Sequence, residues 1–167
     1  MKFICLCGLN ASGKSTTARK IKKQLVSEGY SCCIKSFATP LKQLASTYFN
    51  YNESSKYEQR VILENLATNL KTVFGKTLFG YTLLDEFRYY KVDYVIIDDL
   101  RYSEEYKIIS EFFETSVVKM PDTKRIDELD NKRLNTLLWY FNINDIPCLK
   151  MRDFDAYTLE QIIDQLK

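Results

Sequence analysis

The chain has 167 residues, 46% hydrophobic and 28% charged, with a formal net charge of +2. That length carries one compact domain with a substantial core, and the balance is that of an ordinary globular protein. The small net charge excludes a surface built to coat a nucleic-acid polymer, and no apolar run reaches the length of a membrane span, so a cytoplasmic setting with neither partner is expected.

Residues 2–7, KFICLC, predict a buried strand rather than a leader peptide, because the run passes straight into a glycine-bearing loop. A helix is expected over 14–28, stopped by Gly29. CCIKSF at 32–37 predicts a second strand, and Pro40, suited to a first helical turn, opens the next helix. Ile62, Leu66, Leu70 and Phe74 recur at helical spacing and predict a helix over 56–74, with another over 77–90 in spite of Gly80. DYVIID at 93–98 predicts a third strand, 103–114 a helix and TSVVKM at 115–120 a fourth strand. A charged segment spans 121–136, PCLKM at 147–151 predicts the last strand, and 157–166 the last helix. Such alternation implies an α/β fold, a parallel sheet with helices on both faces and ligand sites at the carboxyl ends of its strands.

The chemistry-bearing residues fall at those ends. Gly8 to Ser15 match G-x-x-x-x-G-K-[ST], a loop whose backbone N–H groups face phosphate oxygens at a helix N-terminus. Gly8, Asn10, Ala11, Ser12, Gly13, Lys14, Ser15 and Thr16 form this phosphate-binding set. Lys14 is expected to reach the β- and γ-phosphates, and the Ser15 hydroxyl to ligate magnesium. Asp98 and Asp99 end the third strand; neighbours on a strand face opposite ways, so at most one is expected to serve the metal. Arg101 offers a guanidinium fork for phosphate at the same edge. Lys124, Arg125, Lys132 and Arg133 are interleaved with acids in 121–136, either a solvated face or a lid that clamps phosphate. The five cysteines lack framework spacing and predict reduced thiols, and the absence of histidine excludes His-based catalytic schemes.

Three further segments carry a resemblance. Phe37, Ala38, Pro40, Leu41 and Lys42 meet F-A-x-P-L-K. Arg60 and Thr68 meet part of R-x-L-x-x-x-G-T, with Ala67 in place of its glycine. Asp99, Arg101, Tyr102 and Glu105 meet D-x-R-[FY]-x-x-E. In this order the chain resembles phage-type deoxynucleoside monophosphate kinases of the P-loop nucleoside-kinase superfamily. The resemblance implies a three-layer fold with about five parallel strands, a single domain over 1–167, a helical acceptor region over 38–90 and a lid over 121–136. It implies ATP as donor, magnesium as cofactor and a (deoxy)nucleoside monophosphate as acceptor, in a monomer or homodimer. Lys14, Asp99 and Arg101 would be catalytic, with Ser15 and Asp99 on the metal. Phe37, Lys42, Arg60, Thr68, Arg101 and Arg125 would bind the acceptor, and the loop from Arg152 to Phe154 would lie against adenine. Kinases of phosphomevalonate or dephospho-coenzyme A, and a nucleotide-binding switch without transfer activity, are the alternatives.

Overall fold

The first apolar run alternates its side chains between two cores, and that alternation sets the architecture. In the computed structural model, residues 1–52, 59–87, 89–123, 128–151 and 156–166 are described. Strand β1 (Lys2–Cys7) sends Phe3, Cys5 and Cys7 into one apolar cluster and Ile4 and Leu6 into another. Strand β3 (Tyr94–Leu100) repeats the pattern, with Val95 and Ile97 on the first side and Tyr94 and Ile96 on the second. Strands buried on both faces read as unbroken apolar runs, which is why they were visible in the sequence.

The other strands are β2 (Cys32–Lys35), β4 (Glu114–Lys119) and β5 (Cys148–Lys150). All pair in parallel, in the order β2-β3-β1-β4-β5. Helices α1 (Lys14–Ser27) and α7 (Ala156–Leu166) cover the Ile4 face through Ala18, Ile21, Leu25, Ile162, Ile163 and Leu166. Helices α2 (Thr39–Tyr48), α3 (Arg60–Phe74), α4 (Leu78–Phe87), α5 (Ser103–Phe112) and α6 (Glu128–Ile143) cover the Phe3 face. This is the three-layer α/β arrangement with five parallel strands expected from the alternation. The chain leaves β1 for β2 on one side and later returns to β4 on the other, so the crevice at the carboxyl end of β1 is the topological switch point.

Two segments differ from expectation. Strand β2 stops at Lys35 instead of running to 37, because Ser36 to Ala38 turn to hydrogen-bond a carboxylate of β3. Residues 128–136, expected within a charged lid, begin the helix α6, whose Leu134, Leu137 and Phe141 are buried. The mixed charges of residues 128–133 precede this stripe and mask where the helix begins. All five cysteines are free thiols, and burial raises the Cys5 thiol well above the usual range. Among the described residues no helix is long and apolar enough to cross a membrane.

Gly80 is where α4 meets α5. A Cβ there would lie 2.9 Å from Ile108 Cδ1 and 3.3 Å from Ile108 Cβ. The clash outweighs the helix propensity that alanine adds, so Gly80→Ala is expected to lower stability by about 1–2 kcal/mol. Urea denaturation measures this; a variant as stable as wild type would show that the two helices part freely.

Candidate active site

The glycine-bearing loop connects β1 to α1 under tight steric control. Gly8 has φ 153, and a Cβ on it would lie 2.8 Å from Met120 Cβ and 2.9 Å from Ser12 Oγ. Only glycine lets the chain leave β1 so close to the end of β4. Gly13, with φ 81, caps α1, and its carbonyl accepts the N–H of Thr17 at 2.9 Å. The Ser12 N–H closes the turn on the Leu9 carbonyl at 3.2 Å. The positive end of the α1 dipole and the unpaired N–H groups of its first turn therefore open on the switch-point crevice.

Lys14 folds across this loop. Its Nζ donates to the carbonyls of Gly8 at 2.8 Å and Leu9 at 2.6 Å. Burial, then the neighbouring Arg101 charge, lowers its pKa to about 8, against the pull of Asp130 and Asp98. A largely desolvated ammonium held by two neutral carbonyls gains strongly from a phosphate dianion.

The two aspartates at the end of β3 divide their work, and not as the D-x-R pattern implied. The register between β1 and β3 slips between Cys5 and Cys7, so Asp98 and Asp99 together stand opposite Leu6. Asp98 accepts the Ser15 hydroxyl at Oδ2, 2.6 Å away. Asp99 turns to the other face, where it accepts the Ser36 hydroxyl at 2.6 Å, the Phe37 N–H at 2.9 Å and the Ala38 N–H at 3.0 Å. Burial raises its pKa and those three hydrogen bonds oppose the rise. The carboxylate beside Ser15, where magnesium was expected with Asp99, is that of Asp98. Strand parity explains the exchange: Asp98 follows Ile96, on the side of α1, and Asp99 follows Ile97, on the side of α2.

Arg101 reaches the loop from β3. Its Nη2 donates to Asn10 Oδ1 at 2.9 Å and its Nη1 to Asp130 Oδ1 at 3.1 Å, while the Asn10 N–H donates to Asp130 Oδ2 at 3.1 Å. The backbone behind it is fixed by Glu105, which accepts the N–H groups of Arg101 at 3.1 Å and Tyr102 at 3.2 Å. Burial pushes the Glu105 carboxyl up to about 7, and Lys71, 3.7 Å away on α3, is the chief opposing influence. Lys71 also stands 3.6 Å over the Tyr102 ring. Glu105, Lys71 and Tyr102 therefore tie Arg101 to the helices of the Phe3 face.

On the expected acceptor side the residues are more dispersed. Phe37 is buried, and its N–H is on Asp99. Lys42 lines a surface cleft of about 320 Å³ with Thr39, Gln43, Ser46 and Tyr51. Thr68 is exposed on α3, its hydroxyl donating to the Glu64 carbonyl of its own helix at 2.8 Å. Arg60 opens α3, and its side chain lies outside the described residues, as do Lys124, Arg125 and the segment from Arg152 to Phe154. Asp130, Lys71 and Ser36 are the site residues that sequence reasoning missed. Asp130 is one acid in a run of mixed charges, and nothing in its spacing separates it from its solvated neighbours.

No curated protein matches the chain. Among solved structures, thymidylate kinase from Ehrlichia chaffeensis superposes with a TM-score of 0.57 at 12% identity, covering 99% of this chain and 97% of that one. Kti12 from Chaetomium thermophilum, in complex with ADP-AlF3, superposes with a TM-score of 0.54 at 18% identity, covering 98% and 96%. The APS kinase CysC from Mycobacterium tuberculosis gives 0.52 at 14%, covering 99% and 96%. At these identities the likeness is one of fold alone, and it does not single out the phage-type kinases. The sequence profile that matches is that of the family described as chromatin associated protein KTI12, over residues 1–108. That stretch holds the phosphate loop, Asp98, Arg101 and Glu105, and the chain belongs to the KTI12 family.

Proposed function

We propose that this protein is an ATP-dependent phosphotransferase that moves the γ-phosphoryl group onto a (deoxy)nucleoside monophosphate. One observation carries the reading: the adjacent carboxylates of Asp98 and Asp99 link the Ser15 end of the phosphate loop to the turn that leads into Phe37, Pro40 and Lys42. Donor and acceptor segments are thereby held against one strand end. The ADP-AlF3 complex of the Chaetomium protein supports an adenine nucleotide at a loop of this fold. Thymidylate kinase supports a nucleotide acceptor on the same scaffold.

The residues suit the chemistry. The N–H groups at the start of α1 cradle phosphate, and Lys14 exchanges the Gly8 and Leu9 carbonyls for phosphoryl oxygens. Ser15 and Asp98 present two hard oxygens 2.6 Å apart, a donor set that fits magnesium. Magnesium bound there would neutralise charge that develops between the β- and γ-phosphates. Arg101 supplies a planar fork on the acceptor side. An acceptor phosphate is already ionised, so alignment and charge neutralisation suffice and no general base is needed.

Membership of the KTI12 family favours a second reading, a nucleotide-dependent binding protein that hydrolyses ATP without a small acceptor. Measurement of ADP release with and without a panel of nucleoside monophosphates separates the two. Strong acceptor dependence is expected. Equal rates without acceptor would leave the second reading.

Lys14→Ala is expected to lower kcat by about a hundredfold or more while the protein stays folded, as for other electrostatic stabilisers. Because Lys14 has a pKa of about 8 and phosphate binds its charged form, ATP binding should weaken as pH rises through that value. Lys14→Arg, which stays charged, should flatten the profile. Titration calorimetry from pH 7 to pH 9.5, roughly the window set by a lysine lowered from its ordinary value, tests this. An unchanged slope in the arginine variant would assign the pH dependence to another group.

The aspartates should separate by type of defect. Asp98→Asn is expected to raise the magnesium requirement, measured by titrating activity with the metal. Asp99→Ala strands the N–H groups of Phe37 and Ala38 and should cost on the order of 3 kcal/mol of stability in a denaturant melt. Reversed phenotypes would return the metal role to Asp99.

A further inference from the structure

The contact between α6 and the phosphate loop is the feature that the transfer reading leaves unused. Asp130 is 6% exposed and sits in the first turn of α6. Its two carboxylate oxygens take two donors from opposite sides, the Asn10 N–H at 3.1 Å and Arg101 Nη1 at 3.1 Å. A second cation, Arg133 on the same helix, stands 3.9 Å from Oδ1 and 3.9 Å from Glu64. An anion bridged between a backbone amide and a guanidinium is the arrangement a phosphate group makes at such a loop. Asn10 belongs to the phosphate loop, and its Oδ1 accepts Arg101 Nη2 at 2.9 Å, so the amide and the guanidinium that hold Asp130 form one anion-binding corner that the terminal phosphate of a triphosphate would compete for.

We propose that Asp130 is an internal stand-in for that terminal phosphate, an autoinhibitory anion that a triphosphate must displace before Arg101 can act. The proposal rests on the reading of Gly8 to Thr16 as a nucleotide site. Carboxylate and phosphate compete for the same two donors, and both are anions, so they exclude one another in a poorly solvated crevice. Leu134, Leu137 and Phe141 anchor α6 in the core further along, which leaves its first turn as the part that yields. Displacement of Asp130 thus couples the arrival of a triphosphate to the start of α6. A diphosphate, which lacks the competing group, leaves the contact in place.

Asp130→Asn keeps the shape and one acceptor but removes the competing charge. It is expected to tighten magnesium-ATP binding by about tenfold in titration calorimetry while leaving ADP binding within about twofold, since like charges set side by side are what the exchange relieves. A merely structural role for Asp130 would weaken both nucleotides or neither, and would not produce a gain confined to ATP. ATP binding in the variant that is unchanged or weaker would overturn the proposal. Should the variant not fold, hydrogen exchange in the wild-type protein decides: residues 128–131 should exchange faster with a non-hydrolysable ATP analogue than with ADP. Equal exchange, or protection, would overturn it. A wild-type protein that binds neither nucleotide would instead overturn the loop reading itself, a result distinct from tight ATP binding that the substitution does not alter.

Discussion

The pair of carboxylates at the end of β3 is the constraint on which the site depends. A slip in register against β1 sets Asp98 and Asp99 opposite one residue, Leu6, and strand alternation aims them at opposite layers of the molecule. Asp98 takes the Ser15 hydroxyl at the foot of α1. Asp99 gathers a hydroxyl and two N–H groups from the turn before α2. Register slips in strands bend the chain and re-aim side chains, and they concentrate beside functional sites. Here the slip turns one strand end into a joint between the loop that would hold a donor and the segment that would meet an acceptor. The cost of burying Asp99 is offset by three hydrogen bonds to a charged acceptor, each contributing about 1.5–3 kcal/mol.

Charge balance follows from the same crowding. Lys14 and Arg101 converge on the same loop, and burial, then the Arg101 charge, makes the Lys14 charge harder to hold, as its lowered pKa records. The chain answers with carboxylates brought from elsewhere: Asp130 from α6 on the Arg101 fork, and Glu105 from α5 on the Arg101 backbone. Glu105 is itself so buried that its carboxyl rises to about 7, with Lys71 of α3 as its counter-charge. Such a network is weak evidence for stability, because desolvation consumes much of the attraction. What it secures is orientation. Glu105 fixes the backbone of Arg101, while Asp130 and Asn10 hold its fork in a resting position that a ligand would exchange.

Much of the fold was legible because the inner strands β1 and β3 are buried on both faces. FICLC and YVIID could hardly be anything but inner strands, and Gly13-Lys14-Ser15 could hardly open anything but a helix at a phosphate site. The division between Asp98 and Asp99 was legible only halfway. Alternation shows that the two face apart, but which face carries α1 depends on Ile4 and Leu6 packing on Ala18 and Ile21, a tertiary fact. Helix α6 failed for a different reason. Its first turns, Glu128 to Arg133, carry mixed charges, and that run obscured the helical spacing of Leu134, Leu137, Leu138 and Phe141 that follows it, so Asp130 looked like solvated charge. Its role exists only because α6 crosses the mouth of the loop, 120 residues away along the chain from Asn10.

The loop and its aspartate are common to kinases and to proteins that merely respond to a nucleotide, so the acceptor side must decide between the two. On the proposed transfer reading, the fastenings on that side are more than a switch requires. A nucleotide sensor needs a γ-phosphate contact and a segment that moves; it has no need to fasten the turn before α2 to the strand that carries its metal carboxylate. Asp99 does so with three bonds, and Lys71 fastens α3 to the Arg101 backbone through Glu105. Both ties run from the phosphate loop's neighbours to helices that lie between β2 and β3, away from the nucleotide's own contacts. On the transfer reading, rigid connection of that kind would hold a second reactant in line, because transfer of a phosphoryl group to an ionised acceptor is limited by alignment rather than by proton removal. Misplacement by about an ångström loses on the order of a hundredfold in rate, and two buried charge networks spanning donor and acceptor elements are a means of preventing it.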